Sequence, residues 1–472
     1  MAHPINETLP AKRPIDDLFT VWVNTHARFL WIALLVSAAA LRALLIWHSP
    51  WPYGYTYDQY FQGVEHLITT GHLPTAADCW QCYHPPFFYA LGAVFYRFGS
   101  ILAGTRTGAL EGLSALSLLS ACATVWFSIR LLEFLRQRGS YLLLASAVVI
   151  VFPCLFISSW SAEADGLQTA LMSAVLYYLT RYDAGPRHAG LGVVVLLGVF
   201  CGLAMATKYN GLLALGATGV LFLLRLFTDG ERPRTIRDGL IVLALALSIG
   251  SWKYLDNRRH HGTALFANGS AAEGFAVGHF AYWRGYEYLS LRFRQVMDLY
   301  EPDAPTGRLT DQPVYYSVPT TLHAMAWTDM SFFSVKSRHG DPSQPYPDKR
   351  IPKWLVGTML VLGMVPNLLA TVGFLSVTRR KAFRACTILT VMTILAYVAW
   401  FTGQDRWALK TKYLLYLLPA YAAYLAVGLR VVRQWSPGTL AGLAVCGLLL
   451  LIVMSQLFAY VFALGSMRIF PV

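Results

Sequence analysis

The sequence has 472 residues, of which 56% are hydrophobic and only 13% are charged. This composition excludes an ordinary soluble globular protein and indicates an all-α polytopic membrane protein. The formal net charge is +13. Much of the basic excess lies in short clusters beside apolar runs, where membrane topology and anionic lipid headgroups explain it, so nucleic-acid binding is not predicted.

The N-terminal residues 1–27 are interpreted as a cytoplasmic tail, since the first 20 are polar and lack the apolar core of a signal peptide. A membrane span needs about 20 mostly apolar residues. On this criterion the sequence predicts about eleven transmembrane helices, near residues 28–47, 112–135, 140–160, 165–182, 189–206, 209–227, 238–255, 353–377, 384–402, 412–432 and 438–463. With the N-terminus inside, nearly every basic cluster between these spans falls on the cytoplasmic side.

Residues 85–101 are apolar enough to form a twelfth span, but crossing there would move every later basic cluster outside. They are therefore predicted to form a juxtamembrane helix on the outer face, within a first outer loop of residues 48–111. A second outer segment, residues 256–352, is predicted to be a periplasmic lid. These loops divide the chain into an N-terminal transmembrane module, 28–255, and a C-terminal one, 353–472.

The first outer loop contains an early carboxylate, Asp58, in the segment YTYDQYF. Beside a bilayer and among tyrosines such as Tyr57, this carboxylate would be partly desolvated, which raises its basicity and suits a general base. An Asp that caps the helix predicted from Gln59 to Thr70 is an equally good interpretation. Tyr57 and His84 are further candidates for an acceptor or sugar pocket.

A short outer turn, SSWSAEADG, carries two carboxylates, Glu163 and Asp165. Acidic residues at the start of a span can serve as favourable N-terminal helix charges, or they can belong to a polar site. Two of them opposite Asp58 favour a shared acidic pocket for an acceptor hydroxyl or a divalent cation. Such a cation is the candidate cofactor, and no residue set is assigned to it.

Basic residues are scarce on the predicted outer face, yet Lys208 lies in the turn MATKYNG and a later segment reads GQDRWALKTKY. Snorkelling to the interface explains a single lysine. The more specific interpretation is an anion site for a phosphate or pyrophosphate headgroup. It would be formed by some of Lys208, Arg406, Lys410 and Lys412.

The pair Cys79 and Cys82 lies in the first outer loop. In an oxidising compartment a disulfide that staples the loop is the leading interpretation. A zinc site with His72, Asp78 or His84 is the competitor, although the spacing matches no standard zinc pattern.

The long loop mixes aromatic residues with Arg338, His339 and Asp341. Such groups suit a sugar or headgroup pocket, and they suit an ordered lid equally well. The sequence contains no Walker A loop, Rossmann fingerprint, Gly-x-Ser-x-Gly elbow or His-Glu-x-x-His pair. This argues against nucleotide binding, serine hydrolases and zinc proteases.

The order of these motifs resembles a known class. An early Asp58, the segment HPPFFY at residues 84–89, a second acidic turn, Lys208-Tyr209 and the segment KYLL at residues 412–415 are similar to the GT-C membrane glycosyltransferases. The most similar branch is that of the protein O-mannosyltransferases and the lipid A aminoarabinose transferase. The resemblance implies a GT-C-like bundle, with Asp58 and Asp165 as catalytic carboxylates and Lys208, Lys412 and Tyr413 near the donor phosphate.

By this resemblance, the expected function is inverting transfer of a sugar from a polyprenyl-phosphate donor to a hydroxyl of a glycan, lipid or protein acceptor at the outer membrane face. Gln59 follows Asp58, where the mannosyltransferases have a second acidic residue, and no large C-terminal soluble domain follows the last span. We therefore expect a bacterial inner-membrane enzyme acting in the periplasm on a lipid-linked or envelope glycan. The alternative is a non-catalytic transporter or flippase of polyprenyl-linked glycans.

Overall fold

A computed structural model describes residues 25, 26, 29, 32–43, 60–79, 81–185, 190–228, 232–265, 290–298, 317–328, 352–402, 411–436 and 438–467. Seven of the candidate site residues lie outside the described residues: Tyr57, Asp58, Arg338, His339, Asp341, Arg406 and Lys410.

The described residues are mainly helical, and no strand occurs among them. Two 3₁₀ helices, Lys381–Phe383 and Thr411–Leu417, precede long α-helices. The α-helices are α1 Ile32–Ala43, α2 Tyr60–Thr70, α3 Phe87–Ala103, α4 Arg106–Phe134, α5 Gly139–Ile150, α6 Pro153–Ser158, α7 Ala164–Asp183, α8 Leu191–Thr207, α9 Gly211–Thr228, α10 Arg232–Gly250, α11 Trp252–His261, α12 Phe293–Asp298, α13 Val318–Trp327, α14 Lys353–Val377, α15 Arg384–Thr402, α16 Leu418–Trp435 and α17 Thr439–Met467.

Length and apolar composition identify the helices that can cross a membrane. Six helical segments of the described chain meet both conditions, or seven if α10 and α11, which meet at a bend of 56°, form one broken span. Four shorter apolar helices, α1, α3, α5 and α8, accompany them. The prediction of an all-α polytopic membrane protein is confirmed, whereas the count of eleven spans is not.

Several helix pairs approach closely because glycines face each other. The Cα of Gly428 in α16 lies so near α14 that an added Cβ would collide with the carbonyl of Leu369, and Gly373 in α14 meets the carbonyl of Tyr424 in the same way. Between α8 and α10, Gly202 lies against Ala246. Small residues allow this packing, which is the main source of helix association where lipid is as apolar as the side chains.

One end of the bundle, here called the Arg136 end, contains the turns that follow α4 and α7. Two carboxylates at this end are buried and paired with arginines. Arg384 donates to both oxygens of Asp183, and Arg237 donates to Asp238 at 2.8 Å. The Arg384–Asp183 pair joins α7 to α15, and both pairs neutralise buried carboxylates at this end.

The other end, here called the Glu163 end, carries α2 and α3. Helix α3 turns at Gly104, which has a left-handed φ of 67°, and packs antiparallel against the start of α4 through Gly99 and Gly112. Glu65 of α2 accepts two hydrogen bonds from Arg106, at 2.8 and 3.0 Å. The first half of α4 therefore supports the helices of the first predicted outer loop.

We predict that Gly428→Ala lowers the stability of the bundle, because its Cβ forces α14 and α16 apart. Overpacking of this kind costs about 1–3 kcal/mol. The change should appear as a lower apparent unfolding temperature in detergent. Gly219→Ala is the matched control, because nothing lies within 4 Å of the added Cβ, and it should be neutral or slightly stabilising. Equal behaviour of the two variants would contradict the packing argument.

Candidate active site

The two carboxylates of the acidic turn lie where the chain reverses between α6 and α7. Pro153 starts α6 and separates it from α5, as expected for a residue that suits the first turn of a helix but not its interior. Glu163 occupies the N-cap position of α7 with extended backbone, and Asp165 lies in the first turn. Both carboxylates thus face the positive end of the α7 dipole.

Two lysines from distant parts of the chain reach this turn. Lys208 is the C-cap residue of α8, in the turn that leads to α9. Lys412 lies in the 3₁₀ helix Thr411–Leu417, which is followed directly by α16 with Pro419 in its first turn. Both were predicted as cations of an anion site, and the structure places both against the acidic turn.

These four side chains form a buried charge cluster. Lys208 Nζ lies 2.9 Å from Asp165 Oδ1, and Lys412 Nζ lies 2.7 Å from Glu163 Oε2 and 3.7 Å from Asp165 Oδ2. Glu163, Asp165 and Lys208 are only 2%, 3% and 4% exposed. Among these four side chains, two negative and two positive charges balance. Its lysines are paired with carboxylates, and Lys208 does not snorkel to the surface.

Aromatic rings enclose the two ammonium groups. Lys208 Nζ lies 4.9 Å from the ring centroid of Tyr413 and 5.5 Å from that of Tyr60, and Lys412 Nζ lies 5.8 Å from that of Tyr413. A cation over an aromatic face is attracted to the ring quadrupole, more strongly where water is excluded. The tyrosines therefore help to hold positive charge at this depth.

His84 belongs to an aromatic group on the same side of the cluster. Its ring stacks on Tyr60 with centroids 5.7 Å apart and meets the ring of Tyr209, which follows Lys208, at 5.6 Å. The hydroxyl of Tyr209 donates to the carbonyl of Tyr83 at 3.0 Å and accepts from Asn257 at 2.8 Å. The first predicted outer loop is thereby joined to the Lys208 turn and to α11.

The loop between α2 and α3 is closed by a disulfide between Cys79 and Cys82. Cys82 lies beside Gly63 of α2, where a Cβ would meet its sulfur at 3.0 Å. In the same loop, Asp78 accepts a hydrogen bond from the backbone N–H of Thr75 at 2.7 Å. This bond lowers the pKa of Asp78, because it stabilises the carboxylate form.

Two residues that the sequence analysis did not single out support the acidic turn. Arg42 of α1 is buried and donates to Ser159 Oγ at 2.9 Å and to the carbonyl of Ile150 at 2.9 Å. Ser117 of α4 donates to the carbonyl of Ser161 at 2.6 Å. The signal in the sequence was the position of Arg42 in the interior of the apolar run of residues 28–47. A charged residue at membrane depth is costly and usually functional.

Helix α13, from the long segment predicted as a lid, is packed into the Glu163 end. Thr411 donates to the carbonyl of Leu322 at 2.7 Å, which fixes the residue before Lys412. His323 Nδ1 accepts from the amide of Asn367 in α14, and its Nε2 donates to the carbonyl of Leu360. Burial lowers the pKa of His323, and this network needs the neutral ring.

A divalent cation was the candidate cofactor. Across the residues that the structure describes, no three or more His, Cys, Asp or Glu side chains form a group that could hold a metal ion. Glu163 and Asp165 offer two carboxylates, and lysine ammonium groups contact both of them. Because these lysines already supply the countercharge, we derive no step through a metal at this position.

Comparison with known proteins supports the architecture. No family model and no curated protein matches the sequence. Among solved structures, apo ArnT from Cupriavidus metallidurans is similar with a TM-score of 0.52 and 17% identity, over 93% of this chain and 76% of that chain.

Two further structures are similar with a TM-score of 0.39 and 17% identity each. They are ArnT from Cupriavidus metallidurans bound to undecaprenyl phosphate, over 87% of this chain and 81% of that chain, and the S. cerevisiae protein O-mannosyltransferase Pmt1-Pmt2 complex bound to the sugar donor, over 51% and 35%. A TM-score of 0.39 is too low to establish a common fold.

The chain is thus an all-α polytopic membrane protein whose fold is similar to that of apo ArnT. The resemblance to the GT-C class, predicted from the order of short motifs, is confirmed at the level of the fold. The roles predicted for individual site residues remain proposals.

We predict that Lys208→Met destabilises the protein, because Asp165 then stays buried with Lys412 as its more distant partner. Loss of one member of a buried pair costs about 3–5 kcal/mol. The double variant Lys208→Met/Asp165→Leu should recover much of this loss, as measured by unfolding temperature in detergent. Arg130→Met, in the exposed pair with Glu133, should cost about 0–1 kcal/mol. A Lys208→Met variant as stable as the native chain would show that the pair does not hold the turn.

Arg42→Met should also lower the unfolding temperature, because the carbonyl of Ile150 and the hydroxyl of Ser159 lose their donor at a buried position. A buried carbonyl left without its donor costs about 1–3 kcal/mol, whereas the hydroxyl of Ser159 keeps its bond to the carbonyl of Phe156. Arg42→Lys should fall between the native chain and Arg42→Met, since an ammonium lacks the planar fork of the guanidinium. Arg97→Met is the control, because Arg97 is exposed on α3. If Arg97→Met is as destabilising as Arg42→Met, the hydrogen bonds of Arg42 do not account for the loss of stability.

Proposed function

We propose that the chain is an inverting glycosyltransferase that moves a sugar from a polyprenyl-phosphate donor to an acceptor hydroxyl. The observation that carries the proposal is the charge cluster of Glu163, Asp165, Lys208 and Lys412, buried at one end of a membrane bundle. Ionisable residues at membrane depth are costly and usually functional. The ArnT-like fold supports the same reaction class.

The ligand class follows from the chemistry of the cluster. A phosphodiester carries one negative charge and several acceptor oxygens, and two lysine ammonium groups can bind it as point charges. On binding, the phosphate would take the place of a carboxylate at Lys208 or Lys412. Tyr413 faces both ammonium groups and would line the same site.

In the proposed reaction, Asp58 accepts the proton of the acceptor hydroxyl as its oxygen attacks the anomeric carbon from the face opposite the phosphate. The bond between the anomeric carbon and the phosphate oxygen breaks, and its electron pair leaves with the polyprenyl phosphate. Lys208, Lys412 and Arg406 stabilise the charge that develops on that oxygen. Asp165 would bind the acceptor or assist Asp58.

The remaining predicted residues would form the pocket around the sugar and its acceptor. His84 lies beside Tyr60 and Tyr209 on the Lys208 side of the cluster, which supports an aromatic surface for a sugar ring. Glu163, Tyr57, Arg338 and His339 are proposed for the same pocket.

We further propose that the Glu163 end faces the periplasm and that the Arg136 end faces the cytoplasm of a bacterial inner membrane. The basic residues at the Arg136 end support this orientation, because cytoplasmic loops carry an excess of Lys and Arg. The four modules proposed along the chain are residues 1–27 as the tail, 28–255 and 353–472 as transmembrane modules, and 256–352 as the lid.

A transporter of polyprenyl-linked glycans is the second candidate, and the broken helices favour it. Helices α10 and α11 meet at 56°, and α5 is separated from α6 at Pro153, both beside charged residues. Transporters place such breaks at their substrate sites. Assay of sugar transfer in detergent separates the two functions, since a transporter releases no transfer product there.

We predict that Asp58→Asn lowers the rate of sugar transfer by about 10²- to 10⁴-fold, because a positioned general base contributes that much. The measurement uses purified protein in detergent, radiolabelled polyprenyl-phosphate sugars as donors and a membrane extract as the acceptor source. Asp78→Asn is the matched control, since Asp78 lies in the same loop and its carboxylate is held by Thr75. Equal rates for Asp58→Asn and the native chain would remove Asp58 from the mechanism.

A further inference from the structure

Helix α11 leaves the direction of α10 at Ser251 with a bend of 56° and runs along the Glu163 end. Its inner side is fixed to the bundle. The hydroxyl of Tyr254 donates to the carbonyl of Met205 at 3.1 Å, and Asn257 donates to the hydroxyl of Tyr209 at 2.8 Å. Helix α11 therefore lies against the turn that carries Lys208, in a defined orientation.

The outer side of α11 combines large apolar groups with cations. Trp252 and Leu255 are 42% and 56% exposed, and Arg258 and Arg259 are exposed as well. Residues 252, 255 and 259 follow the spacing i, i+3 and i+7, which places them on one face of a helix. A tryptophan, a leucine and an arginine thus share one exposed surface.

The charge on this surface is not balanced within the described chain. Asp256 is the acidic residue of α11, and its carboxylate is taken by Lys253 at 3.2 Å and by His260 at 3.0 Å. Among the residues that the structure describes, no carboxylate lies within salt-bridge distance of Arg258 or Arg259, although Arg258 donates one hydrogen bond to the carbonyl of Gly262 at 2.6 Å. The positive-inside rule accounts for the arginines of the Arg136 end, but it predicts few basic residues at the opposite end.

We propose that α11 is an interfacial helix that binds the phosphate headgroups of anionic phospholipids in the leaflet at the Glu163 end. Trp252 and Leu255 enter the boundary between headgroups and acyl chains, and Arg258 and Arg259 bind the phosphates. A phospholipid can contact both the apolar residues and the arginines of this surface. A soluble anion would bind the arginines but leave the tryptophan and the leucine in water.

Binding at α11 would also stabilise the Lys208 turn through Asn257 and Tyr209. The proposal does not depend on the transfer chemistry, since it concerns a surface outside the charge cluster. A failure of the transfer assay would leave it unaffected, and a failure of lipid binding would leave the transfer proposal unaffected.

The test measures amide hydrogen exchange of residues 252–262 by mass spectrometry. The full chain in detergent micelles is titrated with phosphatidylglycerol or, in parallel, with phosphatidylcholine. Phosphatidylglycerol should slow exchange in this segment at lower concentrations than phosphatidylcholine. In Arg258→Gln/Arg259→Gln, the phosphatidylglycerol concentration needed should rise about 30-fold, since each arginine near an anionic surface contributes roughly a fivefold effect.

Two control variants define the outcome. Arg258→Lys/Arg259→Lys keeps the charge and should retain the preference for phosphatidylglycerol. Arg379→Gln/Arg380→Gln removes an exposed pair at the Arg136 end and should leave exchange in residues 252–262 as in the native chain. The proposal is overturned if the native chain responds equally to the two lipids, or if Arg258→Gln/Arg259→Gln keeps the native preference.

Discussion

The pairing of two carboxylates with two ammonium groups at the Glu163 end is the constraint on which the rest of this structure depends. A single buried charge in a membrane bundle is very costly, and a neutral set of four in hydrogen-bond contact reduces that cost. Lys208 meets Asp165, and Lys412 meets Glu163, so α7, α8 and the 3₁₀ helix before α16 must converge. A helix that moved away would leave a charge without its partner.

Other hydrogen bonds fix the positions of the segments that carry the four charges. Arg42 and Ser117 hold the acidic turn from behind, through its own carbonyl and hydroxyl groups. Thr411 fixes the Lys412 segment to α13, and Asn257 fixes the Lys208 turn to α11 through Tyr209. Polar residues at this end therefore serve two purposes, since they satisfy buried backbone groups and also position the charges.

The sequence was informative wherever the signal was local. Apolar runs predicted the helices, and the acidic pair was correctly placed in a turn, between α6 and α7. The turn with Lys208 between α8 and α9 was also predicted correctly. The number of spans was harder to predict, because α5 and α8 are shorter than a full crossing and α10 continues into a bent segment. The approach of α14 to α16 at Gly373 and Gly428 had no clear signal, since a glycine in an apolar run is compatible with several partners.

By itself, the sequence determined the membrane class, the all-α architecture and which residue types would be found at the site, because composition and hydropathy are properties of short segments. Only the tertiary structure decided which charges meet. Lys208 and Asp165 are 43 residues apart, and Lys412 and Glu163 are 249 residues apart. The sequence suggested two separate groups, acidic for the acceptor and basic for the donor, whereas packing unites them in one neutral cluster. Helix packing sets the distances between remote segments, and the cost of a buried charge then selects the arrangement in which each charge has a partner.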